Sequence, residues 1–137
     1  MWLLRTVFSL ILFCISACNA RIEFLPDGEN LKPAKVGEPY YLKINILGGG
    51  VIGGPKKIAG LAIPDNNGIF LRHCQLPEWE VANMQPKDSN NYNCVEIYGT
   101  PIKNGEVKII ISGSMYGSMI SSAREFSKNY KLQVIQP

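Results

Sequence analysis

The chain has 137 residues, 46% of them apolar, with 14 basic against 11 acidic side chains and one histidine. That length holds one domain around one core, and a net charge of +3 with Lys56-Lys57 as the one basic doublet lacks the gathered positive face that nucleic-acid binding requires. His73 alone would have to serve any Ser-His or Cys-His mechanism and no serine lies in a nucleophile-elbow context, so the composition speaks for a non-enzymatic protein.

The first twenty residues, MWLLRTVFSLILFCISACNA, carry an address. Arg5 supplies a positive start, Thr6 to Ile15 an apolar run, and Ile15-Ser16-Ala17-Cys18 a small-residue processing site. The stretch resembles the bacterial lipoprotein signal, in which an aliphatic residue and two small residues precede an invariant cysteine. The resemblance implies that the Cys18 thiol takes a diacylglyceryl group as a thioether, that the chain is cut in front of it, and that the new amino terminus is acylated. Each buried methylene contributes about 0.8 kcal/mol, so three such chains would make a permanent membrane anchor. An ordinary signal peptide cut after Ala20 competes with this reading, because Cys18 and Ala20 are both small. An uncleaved spanning anchor fits less well, since a run broken by Arg5 and ending near Cys18 falls short of the roughly 20 residues a span needs. Asn19 stands where an aspartate tends to retain lipoproteins at the inner membrane, so the sorting rule of such proteins implies the outer membrane, periplasmic face.

Residues 1–17 are thus expected to be the signal peptide, 18–30 the lipidated terminus and lead-in, and 31–137 the folded domain. Without residues 1–17 the chain keeps 120 residues, with 13 basic against 11 acidic. Arg21 to Leu25 can form an edge strand before the turn at Pro26-Asp27-Gly28. From Pro39 to Leu47, Tyr40, Leu42, Ile44 and Ile46 alternate with Tyr41, Lys43 and Asn45, the period of a half-buried strand. The same period recurs at Val107, Ile109 and Ile111, and at Tyr130, Leu132 and Val134. Shorter apolar runs at 58–63, 68–74 and 94–98, bounded by Gly, Pro, Asp and Asn, add further strands. No segment shows a helical period, and 121–128 reads as loop. The fold class is therefore all-β, a single sandwich.

Three motifs extend that reading: Val36-Gly37-Glu38-Pro39-Tyr40 entering a strand, Leu76-Pro77-Glu78-Trp79, and Tyr98-Gly99-Thr100-Pro101 followed by Gly105-Glu106-Val107. Together they resemble bacterial immunoglobulin-like and dystroglycan-type cadherin-like domains, over about residues 31–134. The resemblance implies an immunoglobulin-like β-sandwich. Each motif also reads as architecture: Gly37 and Pro39 open a strand, Trp79 fills the core, and Gly99 and Gly105 bound a turn. Where relatives carry an aspartate-rich segment, this chain has Ser112 to Gly117, which argues against a calcium site.

Four cysteines reduce to two once Cys14 leaves with the signal and Cys18 is committed to lipid. In an oxidising compartment Cys74 and Cys94 then suggest a disulfide. With His73 they supply too few ligands for a metal, and no cofactor is expected beyond the covalent lipid on Cys18. Asp65 and Asp88 read as Asx-turn formers. Glu78 and Glu80 would share one face of an extended strand about 7 Å apart, but read as surface glutamates. The Gly48–Lys57 stretch lacks the Gly-Lys-Ser/Thr ending of a phosphate loop and reads as a flexible connection.

The candidate recognition segment is 112–123, in which Met115, Tyr116, Met119 and Ile120 form a deformable apolar surface between the last two strands. Continuation of the strand, burying Met115 or Met119, is the equal alternative. The expected function is a lipid-anchored, non-enzymatic envelope module binding a protein or glycan. The alternative is a periplasmic inhibitor or immunity protein that plugs a toxin or envelope hydrolase with a loop.

Overall fold

A computed structural model describes residues 21–83, 88–117, 119 and 122–137. The expected signal at 1–17, Cys18 and Ile120 lie outside the described residues. Eight strands form: β1 (Glu23–Leu25), β2 (Ala34–Lys35), β3 (Tyr40–Leu47), β4 (Leu61–Ile63), β5 (Ile69–Gln75), β6 (Asn90–Gly99), β7 (Gly105–Met115) and β8 (Arg124–Ile135). They pair in two four-stranded sheets, β1-β3-β6-β5 and β2-β8-β7-β4, which makes the protein an all-β sandwich. Six neighbouring pairs make up the two sheets, and only β2 lies parallel to its neighbour, β8.

The alternation sets which side chains meet. Tyr40, Ile44 and Ile46 are buried while Tyr41, Lys43, Asn45 and Leu47 face out. Ile97, Ile109, Tyr130 and Leu132 are wholly buried between the sheets. Each such aliphatic side chain contributes about 1.5–3 kcal/mol. The two core tyrosines keep their hydroxyls satisfied: Tyr130 donates to the Pro26 carbonyl at 2.8 Å and Tyr40 to the Lys32 carbonyl at 2.9 Å. Burial pushes both phenols up to about 12. The Tyr130 bond ties the lead-in to the core, and β1 pairs with β3 from Glu23 to Leu25, so the sandwich takes in residues ahead of Leu31.

Three expectations are corrected. Trp79 is 75% exposed, not core. Glu78–Val81 form a four-residue helix, α1, after Pro77, and its inward side chain is Val81. For the same reason Glu78 and Glu80 do not share the face of a strand. Residues 124–128 are strand rather than loop, since β7 and β8 remain paired out to Met115 opposite Arg124. The alternation was hidden there by Gly113, an inward position with no side chain, whose space the Phe126 ring fills.

The Gly-rich connection is pinned instead of free. Asn93 on β6 accepts from the Val51 amide at 3.0 Å and donates to the carbonyls of Ile46 at 3.0 Å and Gly49 at 2.7 Å. Val51 bridges to Met115, and the Ile52 amide donates to the Ser114 carbonyl at 2.8 Å. The turn after β6 follows the expected design: Gly99 has φ +118°, and a Cβ there would collide with the Gly68 carbonyl.

Candidate functional site

Cys74 and Cys94 form the expected disulfide, with Cα atoms 5.3 Å apart. The bridge joins neighbouring strands of one sheet at the point where pairing slips: His73 lies opposite Val95, but Cys74 opposite Asn91. Residues 92–94 thus bulge from β6, and the bulge carries the Asn93 side chain that holds the Gly-rich connection.

His73, beside the bridge, meets Tyr92 edge-on with ring centroids 4.7 Å apart. Both its ring nitrogens are buried without a hydrogen-bond partner of normal geometry. Burial pushes its pKa below the ordinary value, and the Lys57 backbone and Asp88 offset only part of this. Tyr92 donates to the Asp88 carboxylate at 2.5 Å and the Asn90 amide donates to it at 3.1 Å, which hold Asp88 below the usual carboxylate range. Asp88 is thus the Asx-turn former expected. At the other turn that role falls to Asn67, which accepts from the Ile69 amide at 2.7 Å, and not to Asp65.

The recognition segment divides. Met115 is fully buried, sealed by the backbone at Gly49 and within reach of Arg124, so it belongs to the core and leaves the candidate surface. Tyr116 and Met119 are exposed. They share the end of the sandwich with α1 and the 48–60 connection, because the β3–β4, β5–β6 and β7–β8 connections all leave at that end. Among the described residues no group of three or more His, Cys, Asp or Glu gathers in a metal-holding arrangement.

At the opposite end, on the outer face of the first sheet, Tyr41, Tyr98 and Phe70 stand side by side on β3, β6 and β5, in direct register. Tyr41 and Phe70 are 50% and 57% exposed. The Phe70 and Tyr98 ring centroids are 5.9 Å apart, and the Arg72 guanidinium lies over the Tyr98 ring at 4.1 Å. Glu96 accepts from Arg72 at 3.4 Å and, as partner of the Tyr41 hydroxyl, raises that phenol's pKa. Next to the row, a groove of about 480 Å³ runs between β4 and β5, lined by Leu61, Asp65, Asn66, Phe70 and Tyr98.

Sequence reasoning missed this row. The signal was present as aromatic residues at the outward positions of the alternation, Tyr41 above all. Only the strand register brings the three together. Comparison with protein-family profiles, with curated proteins and with solved structures finds no match to this chain.

Proposed function

We propose that this chain is a lipid-anchored, immunoglobulin-like module of the bacterial envelope that binds a protein partner through the Tyr41–Tyr98–Phe70 row and carries out no reaction of its own. The row is the observation that carries the proposal. A contiguous set of three aromatic rings, the outer two half-exposed, with a stacked arginine at its centre and Lys43 and Glu96 at its margin has the composition of a protein-binding hot spot. The arginine and its charged surround favour a protein over a glycan.

Support for the immunoglobulin-like reading comes from strand order. Taking β1, β3, β5 and β6 as strands A, B, D and E, and β4, β7 and β8 as C, F and G, the sheets read A-B-E-D and G-F-C, the constant-type arrangement. The three sequence motifs agree with it, although the bridge here lies within one sheet rather than between B and F. The non-enzymatic reading is supported by the burial of both nitrogens of the one histidine. The anchor rests on Ile15-Ser16-Ala17-Cys18, and Asn19 favours the outer membrane, periplasmic face.

Photo-crosslinking in cells tests the binding surface. A photoreactive side chain at Phe70 or Tyr41 is expected to capture a discrete protein, and one at Gln133, on the outer face of the other sheet, is not. Capture of the glycan network alone, or equal capture at all three positions, refutes the protein-binding row. A single toxin or hydrolase as the captured species makes the module an inhibitor. Replacing Cys18 by alanine is expected to move the protein out of the membrane fraction; retention there refutes the lipid anchor.

A further inference from the structure

The geometry points to a second docking surface, the loop end of the sandwich, whose partner is the lipid bilayer to which the chain is tethered. This rests on the proposed lipidation of Cys18. The four most exposed large apolar side chains among the described residues are Met119 at 104%, Trp79 at 75%, Ile58 at 67% and Tyr116 at 61%. Met119, Tyr116 and Trp79 lie in the β7–β8 and β5–β6 connections at one end, and Ile58 in the β3–β4 connection, which starts at that end and runs down to Leu61 opposite Ile110. At the opposite end the turns at 64–68 and 100–104 are built mainly from Asp65, Asn66, Thr100 and similar polar residues, and the large apolar side chain they expose is Ile102 at 59%.

The chain enters at that same end. Glu23 lies opposite Leu47, the last residue of β3, and the Arg21 backbone packs against Gly48 at the start of the first of these connections. From Cys18 to Arg21 there are three Cα steps of about 3.8 Å each, a reach of at most about 11 Å. The headgroup layer on one side of a bilayer is about 5–8 Å thick. An acyl-anchored Cys18 therefore holds the loop end at the headgroups, where Trp and Tyr side chains are favoured because an apolar ring and a polar edge are both satisfied. Lys56 and Lys57 on one connection are offset by Glu78 and Glu80 on α1, so the contact depends on ring burial and not on anionic lipid.

Loss of residues 1–17 removes Trp2 and leaves Trp79 as the sole tryptophan, a built-in reporter. The full chain, produced with its own signal, would be purified in detergent, checked by mass for lipid on Cys18, and reconstituted into phosphatidylethanolamine vesicles with and without brominated acyl chains. Trp79 emission is expected to shift to the blue and to lose most of its intensity with brominated lipid, equally with or without phosphatidylglycerol. In the Trp79→Phe, Ile102→Trp variant the reporter sits at the opposite end and is expected to remain unquenched. Lipidated protein whose Trp79 is unquenched, or equal quenching at both ends, overturns the docking surface while leaving the anchor intact. Protein without lipid on Cys18 overturns the anchor and the docking surface together.

Discussion

Truncating Met115 and Met119 separately to alanine decides which part of the 112–123 segment is structural. Met115 is 0% exposed and Met119 is 104% exposed. Removing a buried methionine side chain costs about 2–5 kcal/mol, and the pinned glycine connection above Met115 leaves little freedom to collapse into the space, so about 3 kcal/mol is expected. The unfolding entropy of about 115 residues, at about 2.1 cal/mol/K each, converts 1 kcal/mol into about 4 °C. Met115→Ala should therefore lower the melting temperature by about 12 °C. Met119→Ala, with nothing to lose but exposed surface, should stay within about 0.5 kcal/mol, or about 2 °C. Circular-dichroism melts of the oxidised chain give both numbers. Equal melting temperatures for the two variants would mean that Met115 is not core, and would return the whole segment to the recognition surface.

The Cys74→Ser, Cys94→Ser double variant should unfold at a lower urea midpoint, with a loss of about 3 kcal/mol from the released chain entropy of a bridge spanning 20 positions; an unchanged midpoint refutes it. The stability of the wild-type chain should fall as pH drops through His73's unfolded value. Because burial lowers its folded pKa, the unfolded state takes the proton first, so stability is full above about 6.5 and declines below it. His73→Gln should flatten the melting temperature between about pH 7.5 and 5.5, and a slope identical to wild type would assign the effect elsewhere.

The long alternating strands were legible because each residue's face follows from its own position. Tyr40 to Ile46, Val107 to Ile111 and Tyr130 to Val134 needed no knowledge of their partners. β2 was not legible: two residues make no period, and Ala34 and Lys35 are strand only because Val134 and Ile135 run beside them. Trp79 misled because size argues for burial, whereas on a four-residue helix it is the orientation after Pro77 that puts Val81 inside. The Gly48–Lys57 composition spoke for freedom, yet the side chain that removes it, Asn93, lies more than forty positions away. The disulfide followed from the expected compartment and the cysteine count, and the aromatic row from neither, because Tyr41, Tyr98 and Phe70 are neighbours only through two strand registers.

In an antiparallel sandwich successive connections alternate between two ends, so the end at which the chain enters decides which loops face a short tether. Here the entry is beside Leu47, and Tyr41 lies six residues back along β3, about 20 Å away at 3.4 Å per residue. Under the proposed anchor the aromatic row is held about that far above the headgroups, clear of the bilayer and open to a folded partner. Tyr116 and Met119, exposed as they are, can meet such a partner only if the module lifts from the surface. The two surfaces then have separate duties, and tether length separates them experimentally. Inserting a flexible segment of about 20 residues after Ala20 raises the reach of the tether from about 11 Å to a mean of about 26 Å, so quenching of Trp79 by brominated lipid should weaken while capture at Phe70 persists. Loss of capture with the longer tether would show that the row works only at a fixed height from the membrane, and that docking and binding are a single device.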